Sequence, residues 1–166
     1  GVNHNNNVNI AKKLIDYAKI AGADAVKFQT FSADRLVIPG TRKVKYQKNG
    51  IKDKETHYEM IKKLELDGET HRELITYCQE KDIMFLSTPF DHESIDLLSD
   101  LGLKIFKIAS GEITNLPYLR HIGSLRKQII LSSGMSTMQE VGNTLTGINR
   151  VLLTDISMSL DNYLGP

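Results

Sequence analysis

The chain has 166 residues, 40% of them hydrophobic and 25% charged, which is enough apolar material for a buried core and excludes a disordered or low-complexity chain. Its 21 basic and 20 acidic residues leave a formal charge of +1, so no bulk field calls for nucleic acid or a membrane surface as partner. No apolar run reaches the roughly 20 residues of a membrane span, and the lone Cys78 excludes an internal disulfide and points to a reducing cytoplasm.

Residue 1 is not Met and no signal-like segment follows it, so the sequence is expected to start partway through a longer protein. Gly1-Val2 can form a strand stub. Ala11, Leu14, Ile15 and Ala18 then recur at helical spacing, with Lys12, Lys13, Asp16 and Lys19 on the other side. Asn7 or Asn9 caps that helix and Ala21-Gly22 ends it. Residues 25–29 form the first complete strand. The stretch 31–55 is too long for an ordinary connection. It holds Pro39-Gly40 and several charges, Arg42-Lys43-Val44-Lys45 among them, which suits a solvated excursion over the mouth of the fold.

Asp67 caps a helix running through Leu74, Ile75 and Cys78 to about Lys81. On that stripe Cys78 reads as a small buried hydrophobe rather than a nucleophile. A strand at 84–88 follows, then a helix capped by Asp91, carrying Ile95, Leu98 and Leu101 and closed by Gly102. A strand at 104–108, a short helix after Pro117, a strand at 128–131 and a helix from Met138 to about Ile148, capped by Thr137, complete the order. Strands alternating with helices argue for parallel strands covered by helices. Local pattern leaves two architectures open: an eight-stranded barrel, which needs about 250 residues, and an open doubly wound sheet.

In either architecture, functional groups collect beyond the carboxyl ends of the strands. Those positions are polar here: Asn3-His4-Asn5, Lys27 with Gln29, Ser87-Thr88-Pro89, Lys107-Ile-Ala-Ser110-Gly-Glu112 and Ser132-Ser133-Gly134. Lysines within short apolar strands are costly to bury unless they meet a charge. Lys27 and Lys107, with nearby hydroxyls and glycine-flanked amides, therefore suit an anionic ligand such as a phosphate or carboxylate. The alternative is that each lysine snorkels to solvent at a strand end. Glu112 could orient a sugar hydroxyl or move a proton, or serve as a carboxylate at a helix start. His4 could act as base or substrate ligand, or as a capping residue. His57, His71, His92 and His121 show no metal-ligand spacing and receive no chemistry. The glycines form no dinucleotide fingerprint or P-loop and there is no serine elbow, so nucleotide-binding and hydrolase readings lack support.

The runs at these strand ends resemble the sialic acid synthase family, which includes N-acetylneuraminate, legionaminate and pseudaminate synthases. They are Gly1-Val-Asn-His-Asn5, Gly22-Ala-Asp-Ala-Val-Lys-Phe-Gln-Thr30, Tyr58-Glu-Met-Ile-Lys-Lys-Leu-Glu-Leu66, Phe85-Leu-Ser-Thr-Pro-Phe-Asp91, Phe106-Lys-Ile-Ala-Ser-Gly-Glu-Ile-Thr-Asn115 and Ile129-Ile-Leu-Ser-Ser-Gly-Met135. The resemblance covers about residues 1–148 and implies an α/β fold, a (β/α)8 TIM barrel present as an incomplete N-terminal portion of about five βα units. Residues 149–166 would be an uncertain tail. They either resemble a later barrel segment, around Asp161-Asn162-Tyr163, or match it by coincidence. The family's C-terminal antifreeze-like domain, which the resemblance ties to a homodimer of the full-length enzyme, is not expected within these residues.

The resemblance also implies a chemistry. The methylene carbon of phosphoenolpyruvate attacks the aldehyde of an open-chain N-acylmannosamine-type sugar, polarised by a divalent metal, manganese or magnesium. Water then adds and phosphate leaves. Position by position, Lys27, Thr88, Lys107, Ser110 and Ser132 match residues that hold phosphoenolpyruvate. Gln29, Phe90 and Glu112 match positions facing the N-acylated amino sugar, with Asn3 and His4 in the motif near it. Glu112 and His4 are the expected catalytic residues. No residue of this chain is expected to ligate the metal, whose histidine ligands belong to later strands. A family glutamate lies two residues before the position of Gly1, and Ser133 stands where the family more often has threonine. Two other readings remain. One is a catalytically inert fragment with at most weak anion binding. The other is a different phosphoenolpyruvate-dependent aldose-condensing synthase, against which the run Lys107-Ile-Ala-Ser-Gly-Glu112 weighs.

Overall fold

The computed structural model describes residues 1–38 and 56–148. The excursion at 39–55 with its basic run, and the tail at 149–166, lie outside the described residues. In chain order the elements are α1 (Val8–Ile20), β1 (Ala25–Thr30), α2 (Ala33–Leu36), α3 (His57–Lys62), α4 (Gly68–Glu80), β2 (Met84–Pro89), α5 (His92–Asp100), β3 (Ile105–Ile108), a single 3-10 turn (Ser110–Glu112), α6 (Leu116–Ser124), β4 (Gln128–Leu131) and α7 (Met138–Gly147). β1 pairs with β2 and β3 with β4, both parallel. The alternation therefore carries the α/β expectation. The chain divides into two compact units, Gly1–Ser94 and Ile95 onward, with the boundary inside α5. Among the described residues no helix is long and apolar enough to cross a membrane.

Capping residues set the helix starts. Asn7, Asp67 and Asn115 accept from the backbone amides of Ile10, Thr70 and Tyr118, and Asp91 from that of Ser94. Thr56 and Thr137 form complete capping boxes with Glu59 and Glu140. The helix ends share one device. Gly22, Asp82 and Gly102 take positive φ values of 80°, 50° and 82°. The next amide then reaches back to the helix, from Ala23 to Ala18, Ile83 to Cys78 and Leu103 to Leu98. Each turn leads directly into β1, β2 or β3. Glycine relieves the steric cost of that conformation at two of the three exits.

In the first unit, alternation along the strands gives each face of the sheet one task. Val26 and Phe28 of β1, with Phe85 of β2, point to the helices. They pack with Ala11 and Ile15 of α1, Leu74 and Cys78 of α4, and Leu66 and Ile83, and Phe28 stacks on Phe85 with ring centroids 5.2 Å apart. Outside this cluster α1 and α4 are joined by Lys12–Glu73 at 2.7 Å and by the Tyr77 hydroxyl, which donates to Asp16 at 2.9 Å. Exposed pairs of this kind contribute little, so the apolar cluster holds the unit. In the second unit the buried residues include Phe106 and Ile108 of β3, Tyr118, Leu119 and Ile122 of α6, and Leu145 near the end of α7.

Three expectations change. Gly1-Val2 takes no strand conformation among the described residues. Four strands are therefore found among the described residues rather than five βα units. The stretch after β1 contains a short helix, α2, tied to α3. Lys62 and the Tyr58 hydroxyl reach Asp34, and Glu65 accepts from the Ala33 amide. His71, to which the sequence assigned no role, is fully buried and hydrogen-bonded at both ring nitrogens.

Leu74→Ala should destabilise the fold by about 2–5 kcal/mol, because Leu74 is wholly buried in the cluster; chemical denaturation measures this. Burial also pushes the Cys78 thiol up to about 11. The native protein should thus resist a thiol reagent at about pH 8 and react with it only after denaturation. Rapid labelling of the folded chain would contradict the buried assignment.

Candidate functional site

The face of the β1–β2 pair opposite the helices carries the sequence-selected residues of the first unit. Lys27 is in register with Leu86, and Gln29 with Thr88, so the four side chains share that face. Lys27 is exposed, Gln29 half-buried and Thr88 buried. Lys27 thus reaches solvent on this face, where its ammonium is open to an anion. Phe90 follows directly: its amide donates to the Thr30 carbonyl at 3.0 Å, and its ring meets Phe31 edge-on at 6.4 Å.

The loops carrying Phe31 and Phe90 are joined through Asp91, whose side chain is almost fully buried. Its carboxylate accepts from the Ser32 amide at 3.1 Å and the Ser94 amide at 2.8 Å, and pairs with the Arg35 guanidinium at 3.0 Å. Burial opposes the charge, but these donors outweigh it and hold the carboxyl below its ordinary range. Sequence reading gave Asp91 only a capping role. Its second partner, the Ser32 amide, lies 59 positions away and leaves no local signal.

Asn3 is exposed, whereas His4 is 1% exposed. The His4 Nδ1 accepts from the Asn6 amide at 3.1 Å, so the neutral ring carries its proton on Nε2. That Nε2 is buried and has no partner among the described residues. His4 and Asn3 line a pocket of about 180 Å³ with Leu14, Ile15, Phe28 and Lys27. Burial lowers the His4 pKa. At neutral pH His4 is therefore an uncharged donor. Burial rules out the surface reading of this residue, while the Nδ1 bond to the Asn6 amide is a local capping contact.

The second unit brings Lys107 and Ser132 together. Lys107 is 8% exposed, and its Nζ donates to the Ser132 Oγ at 2.6 Å and to the Ile108 carbonyl at 2.5 Å. The Ser132 amide donates to the same carbonyl at 3.1 Å, which ties the ends of β3 and β4. The loops beyond these strands approach each other: a β-carbon on Gly134 would stand 3.5 Å from the Ser110 Oγ. An ammonium with two serine hydroxyls on adjoining loops matches the needs of an oxyanion. Glu112 is half-buried in the 3-10 turn, where its Oε2 accepts from the Asn115 side-chain amide at 2.8 Å. That bond fixes the carboxylate and leaves Oε1 for another partner.

The divalent metal implied by the resemblance does not fit the described residues. They contain no group of three His, Cys, Asp or Glu side chains able to hold an ion.

The profile of the NeuB family matches residues 14–159. The N,N'-diacetyllegionaminic acid synthase of Campylobacter jejuni is 53% identical over 145 residues, covering 87% of this chain and 43% of that protein. The enzyme of the same name from Legionella pneumophila is 52% identical, covering 85% and 40%. Among solved structures, the N-acetylneuraminic acid (sialic acid) synthetase of Leptospira borgpetersenii, crystallised with citrate, matches with a TM-score of 0.74. It is 27% identical, and the match covers 90% of this chain and 48% of that one. The chain thus spans less than half the length of the relatives it matches. With the family profile over most of its length and relatives above half identity, this chain belongs to the NeuB family.

Proposed function

We propose that the protein carrying this chain condenses phosphoenolpyruvate with an N-acylmannosamine-type amino sugar, giving a nonulosonic acid and phosphate. We further propose that the chain forms the N-terminal part of a (β/α)8 barrel. The observation that carries the reading is the buried Lys107 ammonium on the Ser132 hydroxyl at the adjoining ends of β3 and β4. A buried ammonium beside a serine hydroxyl at adjoining strand ends is suited to an incoming phosphate or carboxylate. The synthase names borne by the relatives give that anion site its reaction class.

In this reading Lys27, Thr88, Lys107, Ser110 and Ser132 hold phosphoenolpyruvate through its phosphate and carboxylate. Asn3, Gln29 and Phe90 contact the amino sugar, and Glu112 and His4 act in catalysis. The methylene carbon of phosphoenolpyruvate forms a bond to the aldehyde carbon, whose oxygen takes the electron pair and a proton. Water adds to the cationic carbon left behind and loses a proton. The carbon–oxygen bond of the phosphate ester then breaks, the remaining hydroxyl becomes the ketone, and its proton leaves as inorganic phosphate departs. Glu112, held by Asn115, is placed to move one of these protons, and His4 offers an Nε2–H donor to a sugar oxygen.

Purified protein should release inorganic phosphate only when phosphoenolpyruvate and a suitable amino sugar are both supplied, with manganese present. No release with any N-acylmannosamine-type sugar would end this reading. In the active protein, Lys107→Ala should weaken phosphoenolpyruvate binding about 30-fold, equivalent to the roughly 2 kcal/mol of a charge-assisted contact. Glu112→Gln keeps the shape of the side chain and should lower turnover or amino-sugar affinity while leaving phosphoenolpyruvate binding in place. Kinetics unchanged for both substrates would remove Glu112 from the site.

A further inference from the structure

The helix-facing side of β1 and β2 holds a buried polar chain that the proposed reaction does not use. Thr30, Ser87 and His71 are 3%, 0% and 0% exposed. The Thr30 Oγ1 lies 2.7 Å from the Ser87 Oγ and 2.8 Å from the His71 Nε2, and the His71 Nδ1 lies 2.8 Å from the Asp67 carbonyl oxygen. A carbonyl only accepts, so Nδ1 carries the proton of the neutral ring and Nε2 is an acceptor. The Thr30 hydroxyl therefore donates to Nε2, and its oxygen accepts from Ser87. These bonds run in one direction, from Ser87 through Thr30 and the imidazole to the start of α4. The ring is also fixed from the side by Phe85, which meets it edge-on at 6.2 Å.

Thr30 and Ser87 are the chain neighbours of Gln29 and Thr88, which lie in register on the other face of the same two strands. Successive residues of a strand point to opposite faces, so a backbone rotation that frees Thr30 or Ser87 also re-aims Gln29 and Thr88. We propose that His71 is a positioning residue, which through Thr30 and Ser87 fixes how Gln29 and Thr88 are presented to substrate. The inference rests on the substrate-binding role given above to those two residues.

Protonating His71 would place a hydrogen on Nε2 and turn the Thr30 hydroxyl away from it, breaking the directed chain. The titratable groups facing the ring are Asp67 at the start of its own helix and His4 in the stretch before α1. Burial lowers the His71 pKa, while the Asp67 carbonyl bond and the Asp67 charge oppose the shift. The chain of bonds is therefore complete at neutral pH. The unfolded chain binds a proton near the usual pKa of about 6.5 and the folded one only at lower pH. The associated stability is thus full above about pH 6.5 and lost as pH falls through the folded pKa.

The test uses the intact protein with Thr30→Val, which keeps the side-chain shape and removes the hydroxyl, and with Thr30→Ser, which restores it. Amide resonances of Gln29 and Thr88, the melting temperature, and KM and kcat are measured for each. Thr30→Val should shift both resonances and raise KM for a substrate roughly tenfold, with a melting temperature lowered by a few degrees; Thr30→Ser should recover resonances and KM. A lowered melting temperature with unchanged resonances and KM would mean a purely structural role and overturn the proposal. Should wild-type protein show no turnover, the condensation reading fails, and the resonances alone decide this one. If Thr30→Val does not fold, the wild-type protein decides it: on acidification the Gln29 and Thr88 amides should titrate with the His71 ring. Independent titration overturns the proposal.

Discussion

The burial of one face of the β1–β2 pair under α1 and α4 is the constraint on which the first unit rests. Phe28 and Phe85 stack at 5.2 Å between the two strands and meet Ile15 and Leu74 from the two helices. Parallel pairing with this register forces Lys27, Gln29 and Thr88 to the other side. A one-residue slip would carry Phe28 to the polar face and Lys27 under the helices, at a cost far above what the exposed ion pairs could offset. The position of the candidate site residues is thus a consequence of where the aromatic rings go.

Polar groups within this packing are few and tightly paired, as burial demands. Asp91 satisfies two amides from distant positions and an arginine, joining the loop after β1 to the loop after β2. Thr30, Ser87 and His71 do the same on the helix side. Within the second unit, Lys107 links its own strand to Ser132, and Thr144 of α7 donates to the Ile113 carbonyl at 2.5 Å. His4 is the exception, with a buried Nε2 that nothing among the described residues answers. Leaving such a donor unpaired costs on the order of 1–3 kcal/mol, which makes it a natural place for a ligand acceptor.

Most elements were legible because their signals are local. Asn7, Asp67, Asp91 and Thr137 cap the helices that the sequence marked, and Gly22 and Gly102 close them. The short helices α2 and α3 were not legible: four and six residues give too little periodicity, and tertiary ties through Asp34 and Glu65 hold them. The stub at Gly1-Val2 failed as a strand because strand character needs a partner ladder, which no run of residues reveals. The hydrogen bonds of His71 were not legible for a related reason. Its spacing with Leu74 and Cys78 already placed it on the buried stripe, and a buried imidazole requires partners, but Thr30 and Ser87 are supplied by two separate strands.

The sequence by itself determined the α/β alternation, the caps of α1, α4, α5 and α7, and the family, since each rests on residues close together in the chain or on runs in a fixed order. It also marked Lys27 and Lys107 alike, as charges inside apolar strands. Only the tertiary structure separated the two, leaving Lys27 exposed and burying Lys107 on Ser132, because burial depends on which strand lies alongside. The tertiary structure alone likewise decided the direction of the hydrogen bonds through His71 and the isolation of His4 Nε2. Both follow from groups distant in sequence that meet where water is excluded, and a linear reading has no term for that meeting.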